Sequence, residues 1–250
     1  MVFKQISSVL SFLTIIPIKS YDITYIAQNM YLFPLIGLII GLVIGVLSFF
    51  LFSFLQGFLL GFIITATIIG ITGLHHSDAL SDLADGLMAK GSFEFKHKVM
   101  SDPRNGTAGT VILIFYIIGL IILVSSIDEK PKLISAIIIA EVLSKYSMVL
   151  QCYLGKSAWK GMNTLFVKEM KNKKKFLVSN LILVVSIITF GFNFYYMMAS
   201  VITMVSVSIT LLLIANRSFG GISGDTIGAT NEISRFFIYL IHATFKRIDR

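Results

Sequence analysis

Cysteine is nearly absent: Cys152 stands alone, which excludes an internal disulfide and any metal cluster built on several thiolates. Charge is scarce too. Only 14% of the 250 residues are Asp, Glu, Lys or Arg, far below the roughly 25% of a soluble domain, and the deficit excludes an ordinary water-soluble globule. No internal repeat with a clear period is present, so nothing supports a transporter built from inverted repeats. A small-residue cleavage site is also lacking after the apolar stretch 6–16. With Lys4 as its only leading charge and Pro17 just beyond its end, that stretch reads as a half-helix or interfacial segment and not a signal peptide.

What the chain has in abundance is apolar length. Residues 30–52, 54–74, 107–125, 133–154, 176–191 and 194–215 each approach the roughly 20 residues that a bilayer-spanning helix needs. The expected fold is an all-α, polytopic membrane bundle of six to seven transmembrane helices plus the short N-terminal half-helix, forming one domain over 1–250. Residues 233–245 fit either a surface helix or a seventh span. The net charge is +8, and its distribution matters more than its size. Six spans put Lys4, Lys19, Lys90, Lys96, Lys98, Arg104, the 156–175 loop and the tail after Arg217 on one side. Only Lys130 and Lys132 fall on the other. The positive-inside rule makes the basic side cytoplasmic in a multi-pass protein of the cell membrane. Because topology already requires these charges, they do not argue for a nucleic-acid partner. The lysine tract 171–175 reads as a topology signal with affinity for anionic lipid, or as a lure for phosphorylated substrates. Gly37, Gly41 and Gly45 recur every four residues, a spacing that lets helix backbones approach closely.

The most informative segment is GLHHSDALSDLADG, residues 73–86, expected to continue as helix from the second span. Asp78, Asp82 and Asp85 stand at i, i+4 and i+7, so one helix face carries all three. At about 6 Å and an effective dielectric near 20, each neighbouring pair of carboxylates repels by roughly 2–3 kcal/mol, and the membrane boundary adds desolvation. A divalent cation offsets this, and magnesium prefers oxygen ligands; the plainer reading is a solvated acidic helix end paired with Lys90 or Lys96. His76 is either a substrate contact or a hydrogen-bonded core histidine.

Two further polar islands follow. In MSDPRNGTAG, residues 100–109, Asp102 suits a helix cap with Pro103 at the first position, while Arg104 beside Gly106 and Gly109 suits a phosphate pocket. In RSFGGISGDTIGATNE, residues 217–232, the glycines permit an anion-binding turn before a helix, but without the lysine of a P-loop. Asp225 and Glu232, seven apart, share a face. Glu141 and Lys145, four apart inside the fourth span, either neutralise each other or free Lys145 to reach a phosphate.

These residues resemble the cobalamin synthase family, the adenosylcobinamide-GDP ribazoletransferases, over nearly the whole length. Residues 11–17 (SFLTIIP) and 33–38 (FPLIGL) look like its N-terminal segment and first-span signature. His76, Asp78, Asp82, Asp85 and Gly86 match its His-x-Asp…Asp…Asp-Gly run. Asp102, Arg104, Gly106 and Thr107 match its Asp-x-Arg-x-Gly-Thr run, and residues 220–229 its Gly-Gly-x-x-Gly-Asp-Thr-x-Gly-Ala run. His75 is an extra histidine, and Ala79 and Ser81 replace the usual glycine and alanine. Residues 82–90 also look like the opening of the CDP-alcohol phosphotransferase motif, with Lys90 for its arginine and the later aspartate pair missing.

The resemblance implies a phosphoryl transfer in which α-ribazole, or its 5′-phosphate, attacks the cobinamide-linked phosphate of adenosylcobinamide-GDP and displaces GMP. Mg²⁺ is the implied cofactor, with Asp78, Asp82, Asp85 and Asp102 as candidate ligands. Substrate contacts are assigned to His76, Lys90, Arg104, Lys145, Gly224, Asp225, Thr226 and Glu232. Asp82 and Asp225 are the candidate catalytic carboxylates, Asp225 as proton acceptor. A CDP-alcohol phosphotransferase and a transporter using its carboxylates as an ion path are the competing readings. Membrane lipid is an expected partner, and a homo-oligomer fits as well as a monomer.

Overall fold

Within a bilayer no water satisfies the backbone, so each apolar run must close its own N–H and C=O groups as helix. The computed structural model describes residues 2–19 and 21–245. In chain order the helices are α1 (Val2–Leu13), α2 (Ile23–Gln28), α3 (Phe33–Leu51, entered through the single turn Met30–Leu32), α4 (Gly57–Thr72), α5 (His75–Met88) and α6 (Phe93–Met100). There follow α7 (Thr107–Ser125), α8 (Lys130–Leu154), α9 (Met162–Met170), α10 (Lys173–Phe190), α11 (Phe194–Phe219) and α12 (Gly224–Thr244). Among the described residues, four helices are long and apolar enough to cross a membrane by themselves: Met30–Leu51, Thr107–Ser125, Lys130–Leu154 and Phe194–Phe219.

The helix α8 is the axis of the bundle, buried along almost its whole length. Close approach by α3 makes this possible, because a Cβ at Gly37 would overlap the Glu141 carbonyl and one at Gly41 would lie 2.8 Å from the Ile138 Cα. Phe115, Ile118, Leu181, Ile188, Ile202 and Leu213, by contrast, are well exposed on α7, α10 and α11, as suits helices that face acyl chains.

The structure corrects two sequence expectations and decides between the two readings of a third segment. The acidic segment does not continue from the second span: Gly73, at φ +71, breaks the helix, and α5 leaves α4 at 92°. That φ favours glycine, and a Cβ there would meet Ile15. Of the two readings of 233–245, the crossing helix holds and the surface helix does not: residues 233–244 are the second half of α12, which runs through the bundle. Its start packs on α5, and past its last turn the Phe245 carbonyl accepts hydrogen bonds from Lys132 Nζ (3.2 Å) and Tyr196 OH (2.5 Å), in the first turns of α8 and α11. Phe245 therefore lies at the Lys132 end and not on the side of Arg217, and residues 246–250, with the remaining tail charges, fall outside the described residues.

The polar helix α12 is held inside by a buried cluster of charges. Arg235 donates from Nε to Glu141 Oε1 (2.7 Å), from Nη2 to Glu141 Oε2 (3.2 Å) and from Nη1 to Glu232 Oε2 (2.5 Å) and Tyr116 OH (3.1 Å). Lys145 Nζ donates to Glu141 Oε2 at 2.6 Å, Asn231 to Glu232 Oε1 at 2.7 Å, and the Tyr116 hydroxyl to Glu232 Oε2. Two cations and two anions cancel, which is what permits them in a low-dielectric interior.

Arg235→Ala leaves two carboxylates facing one ammonium, and removing one partner of a buried pair costs about 3–5 kcal/mol. Thermal melting in lipid nanodiscs should fall sharply for this variant and recover in part when Glu232→Gln removes the orphaned charge. A wild-type melting temperature for Arg235→Ala would show that the cluster does not hold the bundle. Gly37→Val should likewise lower melting, by prising α3 from α8.

Candidate active site at the α5 and α12 end

The bend at Gly73 lays α5 across one end of the bundle. Its apolar face, with Ala79, Leu80 and Leu83, is buried, so the face carrying Asp78 and Asp82 turns away from the core. Asp78 is exposed, and Asp82 and Asp85 are half-buried. Burial pushes the Asp82 carboxyl up to about 7, reinforced by Asp78, Asp225 and Asp85 in that order. Asp225 thus joins the stripe from a different helix, placed there by the start of α12.

That placement is built locally. Gly220 ends α11 at φ +77, and Gly221 lets the next turn lie against residues 156–158, where a Cβ would overlap the Ala158 nitrogen and Cα. Ile222 and this loop then exchange backbone bonds: Ile222 N to the Lys156 carbonyl (2.8 Å) and Ala158 N to the Ile222 carbonyl (2.9 Å). Asn163 Nδ2 adds a bond to the same Ile222 carbonyl at 2.8 Å. Ser223 and Thr226 close a capping box on α12, with Thr226 N donating to Ser223 Oγ (3.1 Å) and Ser223 N to Thr226 Oγ1 (2.8 Å). At Gly228 a Cβ would lie 2.6 Å from that of Ala79, so α12 and α5 meet there closely enough to fix Asp225 beside the acidic face.

Next to the stripe opens a cavity of about 360 Å³ lined by α1, the α3 entry, α5, α8, α9 and the start of α12. Phe12, Phe33 and Phe166 form one wall, Met30, Met148 and Met162 another, and His75, His76, Gly224 and Asp225 the polar side. Burial pushes His76 down to about 4, Glu232 partly opposing, so it is a neutral imidazole at neutral pH.

The residues singled out in the sequence thus separate into two groups. His76, Gly224 and Asp225 line the cavity, and Asp78 and Asp82 stand near enough to Asp225 to feel its charge. Asp85 stands on the same helix, and its two oxygens accept the backbone N–H groups of Gly106 (2.7 Å) and Gly109 (2.9 Å). It thereby clasps the start of α7, whose glycines leave no room for side chains against that carboxylate. Lys90 is exposed at the end of this segment. Asp102 does not cap α7, which begins at Thr107 behind Gly106. Instead it pairs with Arg104 (2.9 Å) on the surface, and hydrogen bonds from Arg104 hold its carboxyl down at about 2.

The other group lies elsewhere. Lys145 is completely buried on Glu141, so of its two readings the geometry carries mutual neutralisation. Glu232 shares a face with Asp225 only in the helical count; it is buried among Tyr116, Asn231 and Arg235 and cannot meet a ligand at the rim. The Thr226 hydroxyl is consumed by its cap. Arg235 was not singled out at all, although the spacing Glu232-x-x-Arg235 inside an apolar stretch was a visible sign of an internal pair. Nor were the aromatic and methionine walls, which read as ordinary core.

An oxygen-only donor set in which, among the described residues, Asp82 accepts no hydrogen bond suits a hard divalent cation. The carboxylates are nonetheless spread along the rim, and among the described residues no three His, Cys, Asp or Glu side chains converge on one metal position.

Compared with known proteins, residues 5–243 match the family Cobalamin-5-phosphate synthase. A protein of Clostridium tetani named adenosylcobinamide-GDP ribazoletransferase is 34% identical over 248 residues, covering 96% of each chain. Proteins of the same name from Thermococcus kodakarensis and Methanocella arvoryzae are 32% and 31% identical, each over at least 90% of both chains. No solved structure matches the chain. With a family match spanning nearly its full length, the chain belongs to the cobalamin-5-phosphate synthase family.

Proposed function

We propose that this protein joins adenosylcobinamide-GDP to α-ribazole, or to its 5′-phosphate, giving adenosylcobalamin or its 5′-phosphate and GMP. The observation that carries this reading is the meeting of carboxylates from two helices at the rim of a cavity of nucleoside size, in a chain whose relatives bear that name. A ribose ring hydroxyl of the ribazole, distinct from the 5′-oxygen that carries the phosphate in the alternative substrate, attacks the cobinamide-linked phosphorus, the bond from that phosphorus to the oxygen bridging to GMP breaks, and GMP departs with the bridging oxygen. Asp225, in the lining of the cavity, accepts the hydroxyl proton.

Such a transfer depends on positioning and charge neutralisation more than on covalent help from the protein. Asp78 and Asp82, with Asp85 in reserve behind its clasp on α7, would hold Mg²⁺, which when bound would neutralise the diphosphate and stabilise the leaving oxygen. Arg104 and Lys90, both exposed beside the stripe, hold phosphate oxygens. Asp102 keeps Arg104 oriented by their ion pair. We place this end of the bundle in the cytoplasm, since Lys4, Lys90, Lys98, Arg104 and the lysines of 156–175 lie there and Lys130 and Lys132 at the other end.

The test is GMP release by the full-length protein in nanodiscs supplied with both substrates and Mg²⁺. Asp82→Asn should lower turnover at least about 100-fold, the scale of losing one transition-state electrostatic contact; a wild-type rate would remove Asp82 from the chemistry.

The raised Asp82 value generates a second expectation. Between the ordinary carboxylate range and about 7 the folded state holds more protons than the unfolded state, so metal-free stability declines as pH rises through that window. Asparagine cannot ionise. In EDTA, Asp82→Asn should therefore melt above wild type at pH 8 and together with it at pH 4, and Mg²⁺ should raise the wild-type melting temperature at pH 8. A variant that melts below wild type at pH 8 in EDTA would contradict this account of the stripe.

A further inference from the structure

The cavity beside the stripe is more specialised than a phosphate site requires. The rings of Phe12, Phe33 and Phe166 stand 5.4–6.2 Å apart, centroid to centroid, and touch one another in all three pairs. Phe33, Phe166, Met30 and Met148 are buried, while Met162 is half-exposed at the mouth. Thioethers are soft and adaptable, and they pack well against aromatic faces. Of the polar groups nearby, Asn163 Nδ2 is already committed to Ser157 Oγ (2.6 Å) and the Ile222 carbonyl (2.8 Å). Besides Asn163 and Asp225, the polar side chains of the lining are Ser11, His75 and His76, and the rest is hydrocarbon, sulfur and π-face.

Resting on the transferase reading above, we propose that this cavity is the seat of the ribazole substrate and that its aromatic and methionine walls select the base. About 360 Å³ suits a small nucleoside and excludes a corrinoid macrocycle. Guanine does not suit the depth, because its edge carries donors and acceptors that these walls leave unpaired. Ribazole carries a fused bicyclic base whose outer edge is two methyl groups, and that edge matches the lining. Seated base-inward, the nucleoside turns its ribose toward Asp225, where the attacking ring hydroxyl gives up its proton. The corrinoid diphosphate then approaches from outside, across the exposed face of α5. Phe166 and Met162 are specificity-determining residues in this arrangement.

The experiment measures KM for each substrate by GMP release, and equilibrium binding of α-ribazole alone, for wild type, Phe166→Leu and Met162→Ala in nanodiscs. Met162→Ala is the control on folding, since its side chain lies at the mouth. Phe166→Leu should raise KM for α-ribazole about tenfold, and Met162→Ala about threefold, with KM for adenosylcobinamide-GDP within twofold of wild type. The riboside of benzimidazole without its methyl groups should bind wild type about tenfold more weakly than α-ribazole, and guanosine should not displace α-ribazole. A rise in KM for adenosylcobinamide-GDP alone, an equal rise for both, or displacement by guanosine would overturn the assignment. GMP release with no effect of either variant on α-ribazole would uphold the transferase reading and overturn the pocket. Phe166-dependent binding of α-ribazole without GMP release would do the reverse.

Discussion

Arg235 lies where no water can reach it, with a carboxylate from α8 on one side, a carboxylate from its own helix on another and the Tyr116 hydroxyl of α7 between. In so low a dielectric a misplaced charge is prohibitively costly, and a fork-shaped guanidinium accepts few geometries. The cluster therefore does less for stability than for position: it fixes the rotation and depth of a helix too polar to be held by apolar packing alone. Asp225 lies ten residues, about 15 Å of helix, toward the site end of that helix. Its placement at the rim follows from the register that Arg235 sets.

A second constraint operates where α12 meets α5. The side-chain-free contact of Gly228 with Ala79 brings two helices with carboxylates close together, and the Ser223–Thr226 box ends α12 at the level where Asp225 faces Asp78 and Asp82. The right-angled turn at Gly73 completes the geometry. A straight continuation of α4 would have carried the acidic stripe away from the bundle along the membrane normal. Bent, it lies across the end of the helices, with its apolar face on the core and its carboxylates beside the cavity.

Much of this could be read from the residues because membrane physics leaves a strong imprint. Long apolar runs become helices, and the three polar islands do assemble at one end, where Asp78, Asp82 and Asp225 meet. What could not be read depended on information with no periodic signal. Gly73 resembles the packing glycines Gly37 and Gly41 in sequence, and only its positive φ distinguishes a breaker from a small-residue contact. Glu232 was grouped with Asp225 by the seven-residue count, which records a shared face and says nothing of depth. One side of that face is at the rim and the other is buried two turns below. The i, i+3 relation to Arg235 was the more informative spacing. The cavity walls were hidden differently: Phe12 and Phe33 stood inside quoted motifs, but an apolar side chain lining a cavity looks in sequence like one filling a core.

The two charged assemblies obey opposite rules, and the difference bears on chemistry. Inside the bundle every carboxylate has a protein cation: Glu141 has Lys145 and Arg235, and Glu232 has Arg235. At the rim, among the described residues, no ion pair reaches Asp78, Asp82, Asp85 or Asp225, and the nearby Arg104 is occupied by Asp102. Nothing in the composition forced this, since the chain carries 21 basic residues against 13 acidic ones. An interior charge can be balanced only by the protein, whereas a rim charge can be balanced from solution. Leaving the half-buried Asp82 short of counter-charge beside Asp78 and Asp225, where partial burial strengthens every nearby field, keeps that position available to a cation that arrives with, or ahead of, a diphosphate. Filling it with a lysine would stabilise the fold and close the site.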